Sequence, residues 1–271
     1  MKKLGGEMVN ENANPLYYIF FSANFDIMHT WPLKPNALLL SVLWSVAVEE
    51  QFYLTWPLIL RIVPLKRYKF VFPAIIIFSL IFRSFFTSNS ETDYAVRYFH
   101  TFSLIGDMAL GGLFAYLVSY ENLFKRYITH LPKFAILFIY IGALSVTLFK
   151  DYIFTAGIPV ILERFVIAFF FGMIILEQNY AKHSIFKMSR LKLISNLGVY
   201  TYGLYCLHFL GMYIALKLIG KLRLDGSSIW VAIGGTVVAL MLAIAISLMS
   251  YHLYEKWFLR LKERFAYIVK K

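Results

Sequence analysis

Two carboxylates, Glu49 and Glu50, interrupt an otherwise apolar run from Ala37 to Leu60. Wound as a helix at about 100° per residue, the run sets Ser45, Glu49, Phe52 and Trp56 on one stripe and turns Glu50 roughly the other way. At about 1.5 Å rise per residue, Glu49 lies on the order of 16 Å from Leu38, near the middle of a hydrocarbon layer roughly 30 Å thick. A carboxylate at that depth costs at least a few kcal/mol unless protein encloses it, so it is expected to face a bundle interior or a wet cavity. Two roles fit such a group. It belongs to a functional site, or it closes an ion pair with an arginine of a neighbouring helix.

Three other places keep polar groups where lipid disfavours them. His100 and Asp107, seven residues apart in HTFSLIGDMALGGLFAYL, are predicted to share one helix face, with Gly111 and Gly112 allowing another helix to approach closely. Asp107 reads as the structural partner of a basic residue such as Arg83 or Arg164. Further on, Thr201, Tyr205 and His208 follow i, i+4, i+7 spacing and can hydrogen-bond sugar hydroxyls or a carboxylate. A lone histidine in an apolar helix is usually a satisfied core residue, but lipid raises its cost and with it the case for a role. Glu255, in YHLYEKWF, reads as part of an interfacial Glu-Lys-Trp anchor.

The elements that must position these groups are transmembrane helices. The 271-residue chain is 60% hydrophobic and 15% charged, with a mean hydropathy of +0.66. Soluble domains are nearer half apolar and a quarter charged, so the chain belongs in a bilayer. The fold class is therefore an all-α polytopic bundle. Net charge +12 comes from short basic blocks between apolar runs, which orients a membrane protein and gives no case for nucleic acid. The single cysteine, Cys206, excludes an internal disulfide and any cysteine-based metal or redox pair, and the six histidines show no ligand spacing, so no metal is expected.

Residues 1–36 read as a polar tail followed by an apolar stretch, 15–28, too short to span, and a turn through Trp31-Pro32-Leu33-Lys34-Pro35. Residues 37–256 form the bundle and 257–271 a basic cytoplasmic tail. Seven spans are predicted: 37–60, 70–86, 98–118, 133–149, 158–176, 197–219 and 229–253. Arg61, Lys66, Arg67 and Lys69 follow the first; Lys125, Arg126 and Lys133 follow the third; Lys182, Lys187, Arg190 and Lys192 follow the fifth. The intervening connections TSNSETDYAVR and KDYIFTAG are mildly acidic or sparse, and GKLRLDGSS carries a mixed set, where the alternation is weakest. By the positive-inside rule the basic loops and the C-terminus are cytoplasmic, and the residues before Ala37 lie outside.

Ser45-x3-Glu49-x2-Phe52-Tyr53, within LWSVAVEEQFYLTWP, resembles the signature of the integral-membrane acyltransferase-3 family, which O-acylates surface and exported glycans. The passage around Asp107 is similar to the family's Gly-rich central helix. Thr201-Tyr202-x2-Tyr205-x2-His208 resembles its S-Y-x-x-Y-x-x-H element, with Thr201 in the serine's place. Glu255 falls where the family's closing helix ends, with Trp257 where Pro often follows the Lys. The resemblance implies transfer of an acyl group, such as acetyl, from cytoplasmic acyl-CoA to a hydroxyl of a cell-surface or exported glycan, in a multi-pass protein of the bacterial inner membrane. It implies no bound cofactor, with acyl-CoA as co-substrate and the lipid bilayer and the glycan acceptor as partners. Ser45, Glu49, Phe52, Tyr53, Tyr205 and His208 become candidates for an acceptor or acyl pocket, with Asp107, His100 and Glu255 behind them. The family's leading base is a His ten residues after a basic residue in its first helix. No R/K-x10-H occurs here, so no catalytic residue is assigned, and the expectation is a family domain entered near its third helix, with its activity as a separate chain left open. Two rivals remain at this point: a transporter or flippase, for which an inverted repeat would speak and none is found, and a bundle without chemistry.

Overall fold

The computed structural model describes residues 14–32, 39–226 and 228–265, all of them helix or connecting turn. The expected polar tail to residue 13, Leu33 to Pro35 of the turn, the start of the first span and residues 266–271 of the basic tail lie outside this range. The described residues fall into two compact units, a larger one of residues 14–32 and 43–190 and a smaller one of 39–42 and 191–265.

In the larger unit the order is α1 (Pro15–Ile19), α2 (Ala23–Thr30), α3 (Leu43–Ile62), α4 (Tyr68–Ser84), α5 (Glu91–Phe99), α6 (Thr101–Tyr120), α7 (Asn122–Thr129), α8 (Lys133–Leu148), α9 (Lys150–Ile153) and α10 (Ile158–Tyr180). The smaller unit holds α11 (Lys192–Leu197), α12 (Thr201–Lys221), α13 (Ile229–Ser250), a π-helical turn over Tyr251–Glu255 and α14 (Lys256–Phe265). By length and composition four helical stretches can cross a membrane: Glu91–Tyr120, Ile158–Tyr180, Ile194–Lys221 and Ile229–Leu261. The pair α7 and α8, bent by 90°, makes a fifth if it counts as one. Of the seven spans expected, 37–60 and 70–86 are not among these. The helix in the first begins only at Leu43 and carries Glu49, Glu50, Gln51 and Arg61, and α4 stops at 17 residues.

The larger unit is built on α4 and α6. Ser79 of α4 donates to the carbonyl of Ser103 at 3.1 Å, and a Cβ at Gly112 would lie 2.3 Å from the Phe72 ring, so that glycine lets the two helices close. Gly111, expected to share this task, meets nothing within 4 Å. Phe72, Ile76, Ala109, Leu110 and Phe114 lead a core that extends to Ile136 of α8 and Met173 of α10. Large apolar side chains such as Phe134, Phe138, Leu144 and Ile175 are exposed on the outside, the pattern a hydrocarbon solvent stabilises and water does not.

Two ends of the larger unit differ in charge. At one, Lys182 N–H donates to the Thr129 carbonyl at 3.0 Å, and the Lys187 ammonium donates to the carbonyls of Glu177 and Gln178 at 2.8 and 2.6 Å. Tyr68, at the start of α4, meets Tyr116 near the end of α6, which brings Arg61, Lys66, Arg67 and Lys69 to the same end as Lys125, Arg126 and Arg190. At the other end Arg83, only 2% exposed, donates to the carbonyls of Ile161 and Val160 at 2.8 and 2.7 Å and so ties α4 to the start of α10. Arg97 of α5 donates to the carbonyls of Phe86 and Ser88 in the preceding loop.

Candidate functional site

Helix α3 is held to the larger unit by one stripe. Trp44 packs on Phe99 with ring centroids 5.1 Å apart, Val48 is 1% exposed, and the Gln51 amide donates to Asn24 Oδ1 at 3.0 Å and the Phe21 carbonyl at 2.6 Å. Thr101 donates back to Gln51 Oε1, and Asn24, itself fully buried, donates to Phe99 O and Thr101 Oγ1. Lower down, Phe52 stacks on Trp56 at 4.8 Å, and Trp56 packs on Phe72. The predicted stripe of Ser45, Glu49, Phe52 and Trp56 thus anchors through its aromatic half.

Its polar half is less covered. Ser45 is half-buried, while Glu49 and Tyr53 are exposed. Enclosure of Glu49 by neighbouring helices, expected from its depth, does not occur within the larger unit. The packing stripe of α3 runs through Trp44, Val48 and Gln51, and the Glu49 side chain lies off it. The sequence points to the carboxylates, whereas the polar residue that locks this helix is the half-buried Gln51.

Asp107 is paired as one of the two expectations had it: Arg164 Nε donates to Asp107 Oδ2 at 2.9 Å. His100 does not share the helix face of Asp107. With φ −70° and ψ 132° it sits in extended backbone between α5 and α6, and its Nδ1 accepts from Phe102 N–H at 3.1 Å as the N-cap of α6. Its ring lies among Phe25, Phe82 and Phe102, so an imidazole placed by sequence on a helix face acts instead as a capping acceptor.

In the smaller unit, Thr201, Tyr205 and His208 do line one groove, of about 510 Å³, with Met212 on their own helix and Thr236 and Ala239 of α13 opposite. His208 Nδ1 lies 2.7 Å from the Tyr205 carbonyl, the ordinary local partner of a histidine inside a helix, and its ring stacks on Phe209. Glu255 turns inward. Its Oε1 accepts from Ser250 Oγ at 2.9 Å and faces Gly203 of α12, where a Cβ would come within 2.8 Å of it. Glu255 closes the π-helical turn, so the residue read as part of an interfacial anchor also makes a contact inside the smaller unit.

A cleft of about 530 Å³ opens at the less basic end of the larger unit, and most of its lining was not singled out from the sequence. Glu91, Tyr94 and Tyr98 of α5 follow i, i+3, i+7 spacing and form one wall; Val160, Glu163 and Arg164 of α10 follow i, i+3, i+4 and form another. Trp31 is pinned at the rim by donating from Nε1 to Glu91 Oε2 at 2.7 Å. Tyr94 and Tyr98 stack at 5.6 Å and 15°, Trp31 lies 5.4 Å from Tyr94, and the Arg164 guanidinium lies 5.8 Å above the Tyr98 ring. The signal in the sequence was the amphipathic pattern of ETDYAVRYF, visible only when that segment is taken as a helix with two faces and not as a loop to be counted for charge.

Among the described residues no group of three or more His, Cys, Asp or Glu side chains is arranged to hold a metal ion. The family model described as an acyltransferase domain, that of acyltransferase 3, matches residues 13–248. No curated protein and no solved structure matches the chain.

Proposed function

This chain belongs to the acyltransferase-3 family, and from that premise we propose that it moves an acyl group, acetyl in the simplest case, from acyl-CoA to a hydroxyl of a cell-surface or exported glycan. We place it in the bacterial inner membrane, as a multi-pass protein. The observation that carries the reading is the family match across residues 13–248.

Direction follows from charge. Arg61, Lys66, Arg67, Lys125, Arg126 and Lys187 gather at one end of the larger unit, and under the positive-inside rule that end is cytoplasmic, where acyl-CoA is. Seven spans, with 37–60 and 70–86 counted, then leave the C-terminus cytoplasmic. In the transfer the acceptor oxygen bonds to the thioester carbonyl carbon and the C–S bond breaks. The hydroxyl proton passes to a base and the thiolate leaves with a proton, while a hydrogen-bond donor stabilises the intermediate oxyanion. Tyr205 and His208, in the groove of the smaller unit, and separately Ser45 and Glu49, on α3 of the larger unit, are the side chains we assign to binding the acyl group or the acceptor; no residue is assigned as the base. The transport reading loses a candidate proton carrier, because Asp107 is engaged by Arg164.

The test is glycan analysis in a strain deleted for the gene. Glycan O-acyl groups are expected to disappear, to return with the intact gene and to stay absent with Glu49→Gln. Unchanged O-acylation in the deletion strain overturns the function.

A further inference from the structure

We infer that the cleft between α5 and α10 is a saccharide-binding site, taking the sugar unit that presents its hydroxyl for acylation. This rests on the acyltransferase reading above and adds where the acceptor sits.

A pyranose offers two surfaces, a flat face of C–H groups and a rim of hydroxyls. Recognition therefore needs an aromatic plane together with both donors and acceptors. The cleft has these. Trp31, Tyr94 and Tyr98 are 36, 38 and 37% exposed, so each keeps part of its ring open while the remainder is fixed by ring contacts and, for Trp31, by the bond to Glu91. A ring held in this way loses little entropy when a ligand stacks on it. Arg97 and Arg164 supply donors and Glu163 an acceptor. The volume of about 530 Å³ lies within the ordinary range for a small-molecule site.

Charge separates this ligand from the other candidates. The cationic lining residues, Arg83, Arg97, Lys150 and Arg164, are answered by Glu91, Asp151 and Glu163, and by Asp107 bonded behind Arg164. A phosphate-bearing ligand needs cations without such compensation. An acyl chain needs an apolar wall, and here Phe154 and Val160 stand among mostly charged or hydroxyl-bearing side chains. A hydroxyl-rich ligand matches a balanced set of charges beside aromatic planes. The cleft also stands at the end opposite the basic loops, the side on which an exported glycan would be met.

The experiment uses the full chain in nanodiscs and saturation-transfer NMR with free glucose, galactose, rhamnose, N-acetylglucosamine and glucuronate as probes. At least one of these sugars is expected to receive saturation from the protein. Tyr94→Ala should weaken that binding about tenfold, the scale of one lost ring contact. Thr155→Trp, which fills the cleft from an exposed loop position outside the core, should abolish it. The same two variants are scored for glycan O-acylation in cells, where both are expected to lower it. No saturation of any probe, or equal saturation in Thr155→Trp and the parent chain, overturns the cleft as the site. If O-acylation depends on the gene yet survives in Thr155→Trp, the acyltransferase reading holds and the acceptor site fails. If sugars bind in the cleft but O-acylation is indifferent to the gene, the cleft binds saccharide, the function fails, and with it the assignment of that sugar as the acyl acceptor.

Discussion

Asp107 and Arg164 show how far a single residue can be read from sequence. An aspartate near the middle of an apolar run requires a partner, and only a few basic side chains lie deep enough to supply one; Arg83 and Arg164 were the pair that sequence offered. The choice between them was not legible, because it depends on which helix lies beside α6. Arg83 is taken by the carbonyls of Val160 and Ile161, and Arg164 remains for the aspartate. Their side chains are 28 and 25% exposed, so the pair is partly screened. Asp107→Ala should cost about 2 kcal/mol, below the range for a fully buried pair, while Asp107→Leu combined with Arg164→Met should recover most of the loss. Thermal unfolding in detergent reads both; a double variant no better than the single would show that Asp107 has a role beyond pairing. His100 illustrates the opposite case. Seven-residue spacing predicts a shared face only if the helix is continuous, and the chain breaks at His100, whose ring takes the capping position.

Helices were the more legible scale, since length and hydropathy follow from the solvent that a span must tolerate. Their faces were less so. The stripe on α3 was found, but the side that packs was set by Gln51 meeting Asn24 and Thr101, residues 27 and 50 positions away, and no local pattern reports such a meeting. Small residues on α6 were legible as a packing device, yet the task falls on Gly112 and not on Gly111. That asymmetry gives a sharp contrast. An added methyl at position 112 meets the Phe72 ring at 2.3 Å, and Phe72 cannot swing away because Trp56 and Tyr68 flank it at 5.0 and 6.1 Å. Gly112→Ala should destabilise the protein by about 1–3 kcal/mol, and Phe72→Leu in the same chain should relieve part of that. Gly111→Ala, facing open space on an exposed helix surface, should be neutral or stabilising by up to about 1 kcal/mol. Equal losses from both alanine variants in a detergent unfolding series would mean that α4 and α6 do not approach as described.

Across the molecule, the feature with most consequence for function is the sorting of charge between the two ends of the larger unit, because it decides which compartment the cleft opens to. Thr155 lies in the loop before α10 and Lys125 in the short helix α7, which is tied to the far end of α10 by the Lys182 N–H bond to the Thr129 carbonyl; the two exposed positions are thus separated by the length of α10, a helix long and apolar enough to span. A membrane of ordinary thickness therefore puts one on each side, whatever the total number of spans. Basic side chains near span ends resist translocation, so the orientation we propose holds the Lys125 end in the cytoplasm and turns the Thr155 loop, with the cleft beside it, outwards. Replacing Cys206 with serine removes the only thiol, after which Thr155→Cys and Lys125→Cys each present one. In intact cells with a permeable outer envelope, a charged, membrane-impermeant maleimide is expected to label Thr155→Cys and to leave Lys125→Cys unmodified until the cells are lysed. The reverse pattern would turn the cleft towards the cytoplasm, where no exported glycan arrives. The saccharide site would then have to serve an acceptor acylated before export, and the acyl donor and the acceptor would enter from the same side.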